Sequence, residues 1–321
     1  MPKQTRIFDA SKGYGSITDL RTLVDCTVVK RDNQWWMFIC GLDKKSKEIQ
    51  IFSASLPKEA PLSAVGWQIT TDANDSSKPA PLAGKSKSYS WDGKGGRHCP
   101  SYVKGFDVEK NAWVERIYYA GAAQDHQGPY SIGYVEWDGG KWVDQSAPVF
   151  TADQSWERGS VYEPNLVYHD GKWKMWYVAG ANQEGYLVQG YSESPDGRTR
   201  WSSHQIVFTH EESVFDFCVI ETKNGYEAVF SRVDIGVRTD PPKTGLWWTQ
   251  AKTPSPNMAD WSEPVKICGP GPWKPCVRYG EIDLKKMFVF CDGALPNTSG
   301  IGMPVHFTLD CLEIERPDQC R

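Results

Sequence analysis

The sequence predicts an all-β fold, a single-domain five-bladed β-propeller with four-stranded antiparallel blades around a central funnel. Three observations predict it. One hairpin plan recurs five times along the 321 residues. Aromatic residues make up 13% of the chain beside 29 Gly and 21 Pro, a composition typical of many short strands joined by tight turns. No segment shows the i, i+3, i+4, i+7 apolar periodicity of an amphipathic helix. Radial repetition of four-stranded units is the propeller architecture.

The repeat is clearest in residues 160–181, SVYEPNLVYHDGKWKMWYVAGA. It opens with Glu163 and Pro164, continues as an apolar strand, turns at His169-Asp170-Gly171 and returns as an aromatic strand. Asp-Gly between two apolar runs predicts a β-hairpin.

The same plan recurs in four other segments, which predict the first two strands of the remaining blades. These pairs are residues 23–29 with 35–41, 97–103 with 116–121, 214–220 with 226–231, and 273–278 with 287–293. Further strand candidates follow these pairs, and in four of the five units a Trp begins the fourth strand. The blades are therefore expected to begin near residues 22, 97, 160, 213 and 273.

Aligning Pro100, Pro164 and Pro275 places one residue of each blade at the same height on the funnel rim. These five ring residues are Asp25, Cys99, Glu163, Asp216 and Lys274, and their predecessors are Val24, His98, Tyr162, Phe215 and Trp273. Three carboxylates and a lysine are costly to bury without a purpose. We expect a carboxylate site with an aromatic and imidazole collar around a small polar ligand. The alternative is a structural plug, in which Lys274 pairs with Asp216 or Asp25.

The five-fold plan, with an acidic residue beginning the inner strand of blades one and three, resembles the arabinanase, invertase and levansucrase-type five-bladed glycoside hydrolases. The run Tyr162-Glu163-Pro164-Asn165-Leu166-Val167 is similar to their third-blade acid motif, and Val24-Asp25-Cys26 to their first-blade position. The resemblance covers residues 20–315. It implies a hydrolase of a small furanoside or pyranoside. Glu163 would be its proton donor, Asp25 its base or nucleophile, and Asp216 would orient Glu163 or the sugar hydroxyls.

Blade two departs from that family pattern. Where the family has a third Asp, this chain has Cys99, preceded by Arg97 and His98, and Asp92 lies seven residues earlier. Arg97 and His98 give the site a cationic or proton-shuttling character. This leaves open a phosphorylase-like site, or an isomerisation or cyclisation in an aromatic pocket. A non-catalytic glycan-binding propeller and a protein-interaction propeller are further alternatives. Substrate contacts are predicted for Trp91, Arg97, His98, Cys99, Tyr162, Phe215, Trp273 and Lys274.

Composition limits the partners. The formal charge of -4 gives no reason to expect nucleic acid or an anionic membrane, and no apolar run reaches the roughly 18 residues of a membrane helix. No nucleotide, flavin or phosphate-loop motif is present, and the nine Cys form no CxxC pair, so no cofactor and no metal are expected. We expect a monomer that acts on a small molecule or oligosaccharide. The N-terminus has no apolar leader core, which is compatible with a cytoplasmic protein or with an exported one whose leader was removed.

Overall fold

A computed structural model of the protein shows five four-stranded antiparallel sheets arranged as a propeller, which confirms the predicted fold class. The structure describes residues 2–44, 48–84, 90–124, 128–180, 186–232, 244–279, 285–294 and 307–317. In the strand numbering used below, β1 (Lys3–Asp9) comes first along the chain but belongs to the last blade.

Blades one to four follow the chain from the innermost strand outward. Blade one contains β2 (Leu20–Arg31), β3 (Gln34–Asp43), β4 (Ile49–Pro57) and β5 (Gln68–Ile69), followed by a hairpin of β6 (Thr71–Asp72) and β7 (Asp75–Pro79). Blade two contains β8 (Gly96–Asp107), β9 (Ala112–Ala122), β10 (Tyr130–Trp137) and β11 (Trp142–Asp144). Blade three contains β12 (Val161–His169), β13 (Lys172–Ala179), β14 (Val188–Ser194) and β15 (Gln205–Phe208). Blade four contains β16 (Val214–Thr222), β17 (Gly225–Arg232), β18 (Gly245–Ala251) and β19 (Val265–Cys268).

Blade five is closed by the N-terminal strand. It contains β20 (Trp273–Tyr279), β21 (Lys286–Ala294), β22 (Phe307–Glu315) and, as its outer strand, β1 paired antiparallel with β22. Arg6 Nε donates to Asp310 Oδ1 at 3.1 Å across this pair. β1 was not predicted from the sequence, because a strand that pairs with a partner about 300 residues away carries no local hairpin signal.

The predicted hairpin turns form where left-handed backbone is needed. Asp32 and Asn33 have φ of 50° and 63°, and Asp170 and Gly171 have φ of 49° and 72°. Positive φ at two successive residues is typical of the type I′ turn, whose twist matches that of the flanking strands. Within the described ranges, helical structure is limited to short 3-10 turns at Ser155–Glu157, His210–Glu212 and Met258–Asp260. None of the helical segments described is long and apolar enough to cross a membrane.

The hydrophobic core lies between adjacent blades, which explains the aromatic excess. On β13, Trp173 packs toward blade two and Trp176 toward blade four, since residues three apart on a strand face opposite sides. The Trp173 indole also donates to the Phe106 carbonyl at 3.0 Å. Large flat side chains of this kind fill the space between twisted sheets.

Candidate active site

The inner strand of every blade is interrupted at its ring residue by a β-bulge. The pairing with the second strand shifts between Val24 and Cys26, His98 and Ser101, Tyr162 and Asn165, Phe215 and Cys218, and Trp273 and Cys276. Each shift brackets one of the five ring residues predicted from the sequence. In three blades the next residue is a Pro, which has no N–H to donate and therefore fits a position outside the ladder.

All five ring residues have left-handed backbone. The φ angles are 50° at Asp25, 55° at Cys99, 51° at Glu163, 57° at Asp216 and 51° at Lys274. For residues other than Gly this conformation costs on the order of 1–2 kcal/mol each. The same bulge turns each of these side chains toward one cavity of about 60 Å³, which all five residues line. Strain repeated at five equivalent positions indicates a site that the fold is built to present.

The ammonium group of Lys274 lies among the other ring side chains. Its Nζ is 2.8 Å from Asp25 Oδ1, 2.7 Å from Glu163 Oε1 and 3.8 Å from Cys99 Sγ. An ammonium group has three N–H donors, and here three acceptors surround it. Burial opposes the charge on Lys274, but Asp25, Cys99 and Glu163 together raise its pKa well above the usual value. Lys274 is therefore a permanent tethered cation in the ring.

Asp25 is held as a carboxylate from several sides. Its Oδ2 accepts from the thiols of Cys40 and Cys99, each at 3.3 Å, and its backbone N–H donates to Asp292 at 3.0 and 3.1 Å. Burial alone would raise the pKa of Asp25. The Lys274 charge and the hydrogen bonds outweigh that effect and bring the pKa to about 2.

Glu163 and Asp216 behave in the opposite way. Burial and the charge of Asp25 raise the pKa of Glu163, although Lys274 works against the shift. Burial and the neighbouring Glu163 raise the pKa of Asp216 well above its usual range. Asp216 Oδ2 is buried and has no hydrogen-bond partner among the described residues. The ring thus combines one carboxylate that stays ionised with a carboxyl pair that retains a proton.

Aromatic side chains form a collar next to the ring. Tyr162 and Phe215 are buried, and Phe215 stacks on Trp273 with ring centroids 6.3 Å apart. His98 meets Tyr130 edge-on at 5.3 Å, and Tyr130 packs against Tyr162 at 5.4 Å. The Tyr162 hydroxyl is buried without a hydrogen-bond partner among the residues that the structure describes. Four of the predicted substrate contacts, His98, Tyr162, Phe215 and Trp273, therefore lie together.

Two of the predicted substrate contacts lie apart from the ring, within blade two. Arg97 donates to Asp92 at 2.9 Å and to Asp144 at 2.7 Å in a buried ion-pair network. Trp91 stacks on Tyr119, and its indole lies where a Cβ on Gly121 would be 2.4 Å away. These contacts brace blade two, and the guanidinium of Arg97 has its donors engaged there. A substrate role for Trp91 and Arg97 stays a prediction from the sequence.

Three residues next to the ring were not predicted from the sequence: Asp292, Cys40 and Tyr130. Cys40 pairs with Val24 and Asp292 with Trp273, so each lies on the second strand of its blade, opposite the residue before a ring position. The only signal available was this cross-strand register, which requires the length of each bulge. Proximity in space, and not in sequence, brings these residues to the ring.

A metal ion would find its donors already occupied. The ligand atoms of Asp25, Cys99 and Glu163 lie within 4.8 Å of one another, but the Lys274 ammonium contacts all three of them. A second group with metal-ligand spacing consists of Asp153, Glu157 and His204. Its polar atoms are already engaged in hydrogen bonds within the protein. There Glu157 accepts from His204 and Tyr177, each at 2.7 Å, and from two backbone N–H groups.

Solved structures share the whole fold of this chain at low sequence identity. A structure described as a glycoside hydrolase aligns with a TM-score of 0.65 at 13% identity, covering 97% of this chain and 92% of its own. The α-L-arabinofuranosidase PaAbf62A of Podospora anserina, solved with cellotriose, aligns at 0.60 and 11%, covering 98% and 97%. A member of the mannoside phosphorylase family 130, a family reported to include hydrolases of β-1,2 mannosidic linkages in Candida mannan, aligns at 0.57 and 10%, covering 92% and 85%.

No protein-family profile matches the sequence, and no curated protein matches it. The likeness to these glycoside hydrolases therefore shows that the chain has their five-bladed propeller fold.

Proposed function

We propose that the protein is a carbohydrate-active enzyme that hydrolyses a glycosidic bond at the ring of Asp25, Glu163, Asp216 and Lys274. The observation that carries the proposal is the divergence of the carboxyl pKa values within one cavity. Asp25 is held ionised, with its pKa at about 2, whereas the pKa values of Glu163 and Asp216 are raised. Titratable groups whose environments push their pKa values apart are the pattern of an acid and a base at one site.

Glycoside cleavage needs both members of such a pair. One carboxyl group protonates the leaving oxygen, and a second carboxylate attacks the sugar or activates water, while positive charge builds on the sugar ring. In this proposal the Glu163–Asp216 pair supplies the proton and Asp25 supplies the negative charge. Because Lys274 offsets only one of the carboxylates, the ring keeps a net negative charge that stabilises the cationic transition state.

The collar supports a sugar ligand. Tyr162, Phe215 and Trp273 offer apolar faces, and sugar rings present C–H faces that pack on aromatic rings. The Tyr162 hydroxyl and Asp216 Oδ2 are buried polar atoms without a partner among the residues that the structure describes, and such atoms cost free energy unless a ligand or water satisfies them. The hydroxyl groups of a bound furanose or pyranose would satisfy both. The relatives of known fold, which include glycoside hydrolases, are consistent with this substrate class.

The test is hydrolysis of a panel of 4-nitrophenyl furanosides and pyranosides by the wild type and by the Glu163→Gln and Asp25→Asn variants. We expect turnover of at least one glycoside, and losses of about 10²–10⁴-fold in each variant, the range that general acid–base groups contribute. Asp138→Asn is the matched control, because Asp138 lies on the exposed β10–β11 turn, where its carboxylate accepts from the backbone N–H groups of Gly140 and Lys141. Absence of turnover on the whole panel, or full activity in both variants, would overturn the proposal.

A second candidate is glycan binding without turnover. It is favoured by the position of Lys274, whose ammonium lies between Asp25 and Glu163 at 2.8 and 2.7 Å and holds both carboxylates in ion pairs. This candidate predicts that oligosaccharides bind with unchanged affinity to wild type and Glu163→Gln, and that neither protein hydrolyses them. Calorimetric titration of the proteins with the same sugars separates the two functions.

A further inference from the structure

We propose that Asp216, and not Glu163, holds the transferable proton of the ring and donates it to the glycosidic oxygen. This inference rests on the proposed hydrolase function and assigns the acid within it. It departs from the role that the family resemblance implies for Glu163. It makes the inner strand of blade four, β16, the source of the acid.

The first step is the placement of the single ring cation. Lys274 Nζ is 2.7 Å from Glu163 Oε1 and 2.8 Å from Asp25 Oδ1. An ammonium at that distance favours the ionised form of a carboxyl group. Burial raises the pKa of Glu163, but of the pair Glu163 and Asp216 it is Glu163 that has the ammonium beside it. We therefore assign the negative charge of this pair to Glu163, and Asp25 is the second carboxylate of the ring.

The second step is the environment of Asp216. Within the described part of the chain, no Lys, Arg or His makes an ion pair with it, and its Oδ2 is buried without a partner. The carboxyl group of Asp216 hydrogen-bonds to Glu163, the carboxylate next to it. The titratable groups that face Asp216 are Glu163, Asp25, Lys274 and Tyr162. Two carboxyl groups in contact and away from water cannot both ionise, and the one without the ammonium retains the proton.

The third step is the chemistry. The proton of the Asp216 carboxyl moves to the glycosidic oxygen, and the bond between that oxygen and the anomeric carbon breaks with its electron pair going to the leaving alcohol. The oxygen of a water molecule forms the new bond to the anomeric carbon, and its proton passes to a carboxylate, Asp25 or Glu163. When the products leave, that carboxylate releases its proton to solvent and Asp216 takes one up from solvent, so that both groups return to their starting states. One water is consumed, and no other reactant is needed.

The first experiment compares leaving groups. Wild type, Asp216→Asn and Glu163→Gln are assayed on aryl glycosides of the preferred sugar, from the activated 2,4-dinitrophenyl to the unactivated phenyl leaving group. We expect Asp216→Asn to lose about 10²–10⁴-fold with the phenyl glycoside and little with the dinitrophenyl glycoside, which needs no proton. Glu163→Gln should lose turnover by the same factor with every leaving group in the series. The reverse pattern, with leaving-group dependence confined to Glu163→Gln, would overturn the assignment.

The second experiment reads the proton without turnover, so that failure of this inference is distinct from failure of the hydrolase function. Infrared difference spectra at neutral pH compare the C=O stretch of protonated carboxyl groups in the same proteins. We expect a band that Asp216→Asn removes and Glu163→Gln keeps. Asp292, which is also buried with a raised pKa, contributes a band to every spectrum and cancels in the differences. Loss of the band in Glu163→Gln alone would place the proton on Glu163 and refute the proposal, whether or not any glycoside is hydrolysed.

Discussion

Asp292 on β21 accepts the backbone N–H of Asp25 with both carboxyl oxygens, at 3.1 and 3.0 Å. The contact joins blade five to blade one at the height of the ring. Burial and the adjacent charge of Asp25 raise the pKa of Asp292 well above its usual range, which favours the neutral form of Asp292. Asp292 also hydrogen-bonds to the Asp25 carboxylate. Its role is to fix the left-handed backbone of Asp25 and to keep that carboxylate ionised.

The neutral state of Asp292 leads to a prediction about two substitutions. Asp292→Asn keeps an acceptor and a donor without adding charge, so we expect a small change in the free energy of unfolding. Asp292→Ala leaves the buried N–H of Asp25 without a partner and should cost about 1–3 kcal/mol, while the pKa of Asp25 rises. Urea unfolding of both variants measures the difference. Equal destabilisation by Asn and Ala would show that Asp292 is ionised and that its charge is what matters.

Removing the tethered cation should be more damaging. Lys274→Met leaves Asp25 and Glu163 buried next to each other without a counter-charge, and breaking a buried ion pair in this way costs about 3–5 kcal/mol. Lys274→Arg should rescue little, because a planar guanidinium cannot direct three donors to Asp25, Glu163 and Cys99 from one nitrogen. Chemical denaturation measures both effects. A loss below about 1 kcal/mol for Lys274→Met would mean that the ring carboxylates become protonated at little cost.

The blade plan and the ring positions could be predicted because both depend on local signals. Turn residues such as Asp170-Gly171 and Asp32-Asn33 mark each hairpin, and the Pro residues after Cys99, Glu163 and Lys274 align the blades. The ring follows from that alignment, since equivalent positions in radially repeated blades face one axis. The structure brings all five residues to one cavity.

Contacts between blades could not be predicted in the same way. Lys274 pairs with Asp25, one of the two partners that the sequence suggested, but it also reaches across the ring to Glu163, which the sequence did not suggest. The reach of a long side chain depends on the curvature of the ring. The roles of Asp292 and Cys40 depend on cross-strand register. Arg97 precedes the ring by two residues, but its side chain extends to Asp92 and Asp144 instead.

The left-handed backbone of Cys99 predicts an unusual order of stability for substitutions at this position. In a regular strand Gly is less stable than Ala by about 0.5–1 kcal/mol, but at a φ of 55° the Ala side chain pays a cost of about 1–2 kcal/mol that Gly avoids. Cys99→Gly should therefore be as stable as Cys99→Ala or more stable. The Gly and Ala variants of Ser101, on the same strand but outside the left-handed set, should show the ordinary order. Thermal or urea unfolding of the four variants tests this, and the ordinary order at both positions would contradict it.

Closure of blade five by β1 predicts that a short N-terminal deletion disrupts the propeller. Removing residues 2–9 exposes the edge of β22, leaves Asp310 without Arg6, and takes the buried side chain of Ile7 out of the hydrophobic core. Exposed strand edges promote association between chains. We expect a lower midpoint of thermal unfolding and a tendency to aggregate, measured by calorimetry and light scattering. The double variant Lys3→Ala/Gln4→Ala, which changes two exposed side chains of β1 and keeps its backbone, is the control and should unfold like the wild type.

The raised pKa of Asp216 predicts how stability depends on pH. In the unfolded chain Asp216 loses its proton near the usual value of about 3.9, whereas in the folded protein burial and the neighbouring Glu163 keep it protonated to higher pH. Between these two values the folded state binds more protons than the unfolded state, so the stabilisation that Asp216 provides is complete at acid pH and is lost as the pH rises toward the folded pKa.

Asp25 acts in the opposite direction. Because its folded pKa is lowered to about 2, the stabilisation that Asp25 provides is complete above about pH 4 and is lost only in strong acid. We therefore expect the free energy of unfolding of the wild type to decline as the pH rises from about 4 toward the folded pKa of Asp216, and that of Asp216→Asn, whose amide does not titrate, to decline less. Urea unfolding across this range provides the measurement, with Asp138→Asn expected to follow the wild type, and parallel pH profiles for all three proteins would show that Asp216 is ionised in the folded state.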